Sequence, residues 1–105
     1  MHGYSQLVEF SVEATQQSAL VTALAHVDQQ YTSSCPGFMG ASVQASEDGR
    51  RVLHQVLWQS RQACEAALSA IESSVYDLSG LIRLHRVRAA SFGSYQVLNH
   101  VPPRV

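Results

Sequence analysis

The segment from Phe38 to Gln59 constrains the fold of this chain more than any other. It holds two alternating runs, "FMGASVQAS" and "RVLHQVLWQ", joined by "EDGR". Asp48-Gly49 supplies the positive φ that a tight turn between antiparallel strands needs, so the two runs read as a hairpin. In the first run Met39, Ala41, Val43 and Ala45 fall on one side. In the second, Val52, His54, Val56 and Trp58 share one side while Leu53, Gln55 and Leu57 share the other. Both sides of that strand are substantially apolar, whereas a sheet with one face in water alternates more cleanly. Something should therefore cover the second face, and the simplest cover is another copy of the same sheet.

The pattern changes on either side of the hairpin. "SQLVEFSVEA" alternates, with Val8, Phe10 and Val12 opposite Glu9, Ser11 and Glu13, as a strand does. Thr15 is the expected cap of a helix in which Leu20, Ala23, Leu24, Val27 and Tyr31 make one apolar face, and Pro36-Gly37 closes that region. After the hairpin, Ser60 is the expected cap of the helix "RQACEAALSAIES", and a further helical piece lies around "SSVYDLSGLI". "RVRAASFGSYQVLNHV" reads as the last strand, with Gly93 marking a bulge. Phe38 and Phe92 are assigned to the core, and His26 to the solvated side of the first helix. The order β-α-β-β-α-β predicts an α+β, ferredoxin-like fold: one domain over residues 1–105, with an antiparallel four-stranded sheet and two helices on one face.

Composition narrows the partners. A chain of 105 residues with 46% hydrophobic and 14% charged residues and a net charge of −1 has no basic cluster for nucleic acid or an anionic membrane. Arg83, Arg86 and Arg88 alternate with Leu84, His85 and Val87 as the approach to a strand. No run of about 18 apolar residues spans a membrane. The N-terminus lacks the basic-then-apolar order of a secretory signal, so the expected location is cytoplasmic. Cys35 and Cys64 are too few for a disulfide framework, and no His/Cys/Asp/Glu spacing reads as a metal site.

The hairpin, with the turn before it and the helix start after it, resembles the antibiotic biosynthesis monooxygenase family. Pro36-Gly37-Phe38, Asp48-Gly49, Trp58 and Ser60 meet the family's elements in order over about a quarter of the chain. The resemblance implies a dimeric α+β barrel, a homodimer through the sheet face, and a cavity between sheet and helices in each subunit. It implies oxygenation of a phenolic, often polycyclic, polyketide-like molecule with molecular oxygen as co-substrate and no flavin, haem or metal. Trp58 matches the family's tryptophan at the cavity wall. His54 falls where the polyketide oxygenases have an asparagine, and Cys64 where they have a tyrosine.

These residues suit the chemistry. Triplet dioxygen reacts poorly with closed-shell molecules, so an enzyme without a cofactor must turn its substrate into an electron-rich anion. An imidazole, ordinarily titrating near 6.5, is a suitable base, which makes His54 the candidate catalytic residue. Trp58 lies on the same strand face about 13 Å along, and can stack on an aromatic ring. Val52, Val56, Cys64, Tyr31 and Tyr95 complete the expected substrate-binding set, and Tyr76 is a further candidate. Cys64 also reads as a small buried hydrophobe. Haem degradation, known in a sister branch, ranks below oxygenation because Leu68 stands where the haem-ligating histidine is expected. Two other readings stay open: a cofactor-free isomerase or cyclase in which His54 shuttles a proton, and a non-catalytic dimeric small-molecule-binding module.

Overall fold

The computed structural model describes residues 3–72 and 78–104. Its elements are β1 (Tyr4–Ser11), α1 (Ala14–Gln30), β2 (Phe38–Ala45), β3 (Arg51–Trp58), α2 (Arg61–Glu72), α3 (Leu78–Leu84) and β4 (Ala89–Gln96). The strands form one antiparallel sheet in the order β2-β3-β1-β4, a ferredoxin-like arrangement. Among the described residues three α-helices rather than two accompany the sheet, with a short 3-10 turn at Thr32–Ser34. The third is the further helical piece; the start of that piece, with Tyr76, lies outside the described residues.

Alternation sets the two faces. β1 pairs with β3 without a break from Tyr4↔Trp58 to Ser11↔Arg51, and with β4 from Tyr4↔Gln96 to Ser11↔Ala89. Directly opposed residues project to the same side. Val8, Phe10, Val52, Val56 and Trp58 therefore share the helix-facing side and are all buried. The core beneath the helices falls into two clusters. Val8, Phe10, Val12 and Val52 pack with Leu20 and Leu24 of α1, and Leu81 and Ile82 of α3 join them. Val56 and Trp58 pack with Cys64 and Ala67 of α2.

The boundaries follow from hydrogen bonding. α1 starts at Ala14, with Glu13 in the cap position and no side-chain cap, rather than after Thr15. The strand ends as soon as Val12 is buried and its N–H has donated to Arg50 O at 2.9 Å. Ser60 caps α2 as expected, its Oγ accepting from Ala63 N–H at 3.1 Å. β4 is shorter than the sequence suggests. Arg86, at φ 52°, closes the turn after α3, and at the other end the last bond to the β1 side among the described residues is Val97 N–H to Gly3 O.

Three expectations need correction. Gly93 marks no bulge, because β4 keeps register throughout; a Cβ there would lie 2.8 Å from the Tyr95 ring, so the glycine makes room for that ring. The irregularity is in β2 between Phe38 and Gly40. It turns Met39 out, 46% exposed, and leaves Phe38 opposite Trp58. Phe92 is not core: it sits on the helix-facing side opposite Val8, yet is 62% exposed on an edge strand.

Gly37 shows how closely α2 meets the hairpin. It takes φ 85°, and a Cβ on it would fall 2.5 Å from Ala63 Cβ. Strain and overlap act together, so Gly37→Ala should lower the unfolding free energy by about 2–3 kcal/mol in urea denaturation. An unchanged midpoint would mean that α2 yields at Ala63.

Candidate active site

His54 stands at the seam between the two core clusters. Its neighbours along β3, Val52 and Val56, belong to one cluster each. Across the strands it faces Val43 on β2 and Val8 on β1. Its Nε2 lies 2.8 Å from Oδ2 of Asp28, and the two side chains are 15% and 11% exposed. With Asp28 as a carboxylate, which can only accept, Nε2–H is the donor of this contact. Oδ1 of Asp28 is buried with no hydrogen-bond partner among the described residues.

Sequence reasoning missed Asp28. The signal was present, since Leu20, Leu24 and Asp28 repeat at intervals of four on α1 and an acid therefore falls on its buried stripe. A buried carboxylate without a partner is costly, so a group across from that stripe should supply a donor. His54 is that group.

Trp58, 1% exposed, stacks edge-on against Phe38 with centroids 5.9 Å apart at 80°. Its Nε1–H is buried without an acceptor among the described residues. Cys64, 2% exposed, lies beside Trp58 with its thiol directed at Gln6 Oε1, 3.9 Å away. Burial above all, with Glu65 adding to it, pushes that thiol upward and keeps it protonated. Val52 and Val56 are closed in the core, and Tyr31, at the end of α1, is 39% exposed.

Tyr95 does not join this group. It is opposite Ser5, on the face that carries Leu7, Leu53 and Leu57, because strand alternation sends it away from His54. Its place on the helix-facing side goes to Phe92. The row Val43–His54–Val8–Phe92 runs straight across the sheet, so Phe92 is two strands, about 10 Å, from His54. The helix-facing side of the sheet thus carries an exposed aromatic ring on β4 in the same row as the partly buried imidazole on β3, with Val8 between them.

Elsewhere, a groove of about 260 Å³ lies between α2 and the lead-in to β2, lined by Cys35, Pro36, Gly37, Gln59, Ala63 and Ala67. It includes neither His54 nor Trp58. Among the described residues no group of three or more His, Cys, Asp or Glu side chains is placed to hold a metal ion, and no helix is long and apolar enough to cross a membrane. His26 is exposed, as expected, whereas His85 is buried.

A four-stranded antiparallel sheet with helices packed on one side defines a ferredoxin-like protein, here with a His–Asp pair beneath the helices. The chain belongs to the antibiotic biosynthesis monooxygenase family, whose sequence profile matches residues 3–76. No curated protein matches it in sequence. Among solved structures it is similar to the ActVA-Orf6 monooxygenase of Streptomyces coelicolor in complex with nanaomycin D, with TM-score 0.78 and 23% identity over 97% of this chain and 93% of that one. It is also similar to SnoaB, a cofactor-independent oxygenase from Streptomyces nogalater, with TM-score 0.68 and 13% identity over 98% and 100%. A dimeric ferredoxin-like protein from an uncultured marine organism gives TM-score 0.69 and 14% identity over 95% and 98%. At these identities the likenesses establish the fold. Family membership supports a monooxygenase-type role.

The pair has a consequence for stability. Removing the imidazole strands a buried carboxylate, whereas glutamine places an N–H near the lost Nε2. His54→Ala should be less stable than His54→Gln by about 2 kcal/mol in chemical denaturation. Equal stability would mean that water satisfies Asp28.

Proposed function

We propose that the protein is a cofactor-independent monooxygenase acting on a phenolic or polycyclic aromatic substrate, with His54 as its base. The observation that carries this reading is the position of His54 in one row with the exposed ring of Phe92, on the helix-facing side of the sheet. A flat aromatic molecule stacked on Phe92 brings its edge towards His54. The imidazole takes a proton from the phenol or from an activated methylene, and the anion then reduces dioxygen directly. For an anthrone-like methylene the balance is complete. The carbon loses two hydrogens and gains one oxygen atom as a carbonyl, the other oxygen leaves as water, and the imidazolium returns its proton to the departing oxygen. The resemblance to cofactor-independent oxygenases supports the absence of flavin, haem or metal from the scheme, and the apolar clusters on both sides of His54 support a dry site.

Oxygen uptake tests the reading, measured with chelator and no added cofactor on anthrones and dihydroxynaphthalenes. His54→Gln, which retains a donor to Asp28, should reduce turnover at least about 100-fold. Phe92→Ala should raise KM about tenfold with little change in stability, because the ring is already exposed. A panel that binds without consuming oxygen would favour the isomerase or binding-module reading instead.

The second half of the proposal is a homodimer packed sheet to sheet. Leu7, Leu53 and Leu57 lie on the face away from the helices, with the half-exposed Tyr95 beside them, and no described element covers that face. Light scattering at micromolar concentration should give twice the chain mass, and Leu53→Lys should halve it. A monomeric wild type would refute the sheet-to-sheet dimer.

A further inference from the structure

We infer that Asp28 is a positioning residue for the chemistry of His54: it holds the proton on Nε2 and thereby makes Nδ1 the atom that takes the proton from substrate. The inference rests on the reading of His54 as the base and goes beyond it by naming the reactive nitrogen and the group that selects it.

Three observations lead there. First, the contact is short and enclosed, 2.8 Å between side chains 15% and 11% exposed, so water competes poorly for it. Second, with Asp28 as a carboxylate the contact selects one tautomer. A carboxylate accepts, Nε2–H donates, and the lone pair of the neutral ring is then on Nδ1. Third, the pair is a poor device for stability. Asp28 continues the Leu20–Leu24 stripe of α1, where a third leucine would pack without desolvating a charge. Exchanging a buried charged group and its polar partner for well-packed apolar residues is often neutral or stabilising. Oδ1 adds to the cost, being buried with no partner among the described residues. A carboxylate retained in an apolar stripe against one imidazole is an arrangement that active sites use. It fixes the ring and its tautomer, and it stabilises the imidazolium that forms when the ring takes a proton.

Asp28→Leu removes the acceptor while keeping the volume and the apolar stripe, and Asp28→Asn keeps an acceptor without the charge. Two readouts apply to both and to the wild type. The first, nitrogen-15 NMR of the histidine rings, needs no substrate. The wild type should show His54 protonated on Nε2 and bare on Nδ1, with a slowly exchanging, downfield Nε2–H. In Asp28→Leu that proton should exchange rapidly. The second is steady-state kinetics on an oxidised substrate. Asp28→Leu should lower kcat about 100-fold with KM within about threefold, and Asp28→Asn should lie between it and the wild type. Thermal unfolding of each variant reports whether it folds. A wild-type ring bare on Nε2, or a folded Asp28→Leu with unchanged kcat, would overturn the inference. If Asp28→Leu does not fold, Asp28→Asn decides by the same kcat criterion. Should the wild type consume no oxygen on any substrate, the oxygenase reading fails, while the ring spectrum and anaerobic deuterium exchange into a bound anthrone, slowed or not slowed in Asp28→Leu, still decide the role of Asp28.

Discussion

Everything in this molecule depends on the unbroken antiparallel pairing of β1 with β3. Eight residues on each strand stay in register, so one alternation governs both. It commits Val8, Phe10, Val52, Val56 and Trp58 to the side beneath the helices and puts His54 among them. A slip of one residue would send the whole set to the other face. The pairing of β1 with β4 then extends the same rows by one strand and brings Phe92 into line with His54.

The helices divide the labour over that side. α1 seals one cluster and α2 the other, and the polar pair occupies the line where they meet. Polar groups are least costly at such a seam, because no single close-packed cluster has to be interrupted. The same placement explains why the imidazole is neither fully enclosed nor free in solvent, the condition a group needs if it is to be shielded from bulk water and still meet a ligand.

Much of this was legible in the chain. The Asp48-Gly49 turn, the strand alternation and the Ser60 cap are local signals, and local chemistry settles them. So is the common face of His54 and Trp58. What escaped was decided by tertiary context. Met39 leaves its side because β2 takes an extra residue opposite β3, which no alternation rule announces. Gly93 reads as a breaker, but its role is set by a ring two residues away. Phe92 looks like core until β4 proves to be an edge strand. Tyr95 was placed by residue type, whereas its parity within the strand assigns it to the opposite face. Asp28 stood in plain sight within an apolar stripe, and its meaning required knowing which strand α1 would cross.

The hydrogen bond from His54 to Asp28 also restricts how such a sequence can have arisen. The resemblance places an amide where this chain has an imidazole. An aspartate appearing first at position 28, with nothing to donate to it, would have left a carboxylate stranded against apolar side chains. A histidine appearing first at position 54 would have left a neutral ring, which an interior tolerates far better. The order of the two substitutions is therefore not arbitrary, and sequences related to this one should more often carry the histidine without the acid than the acid without the histidine.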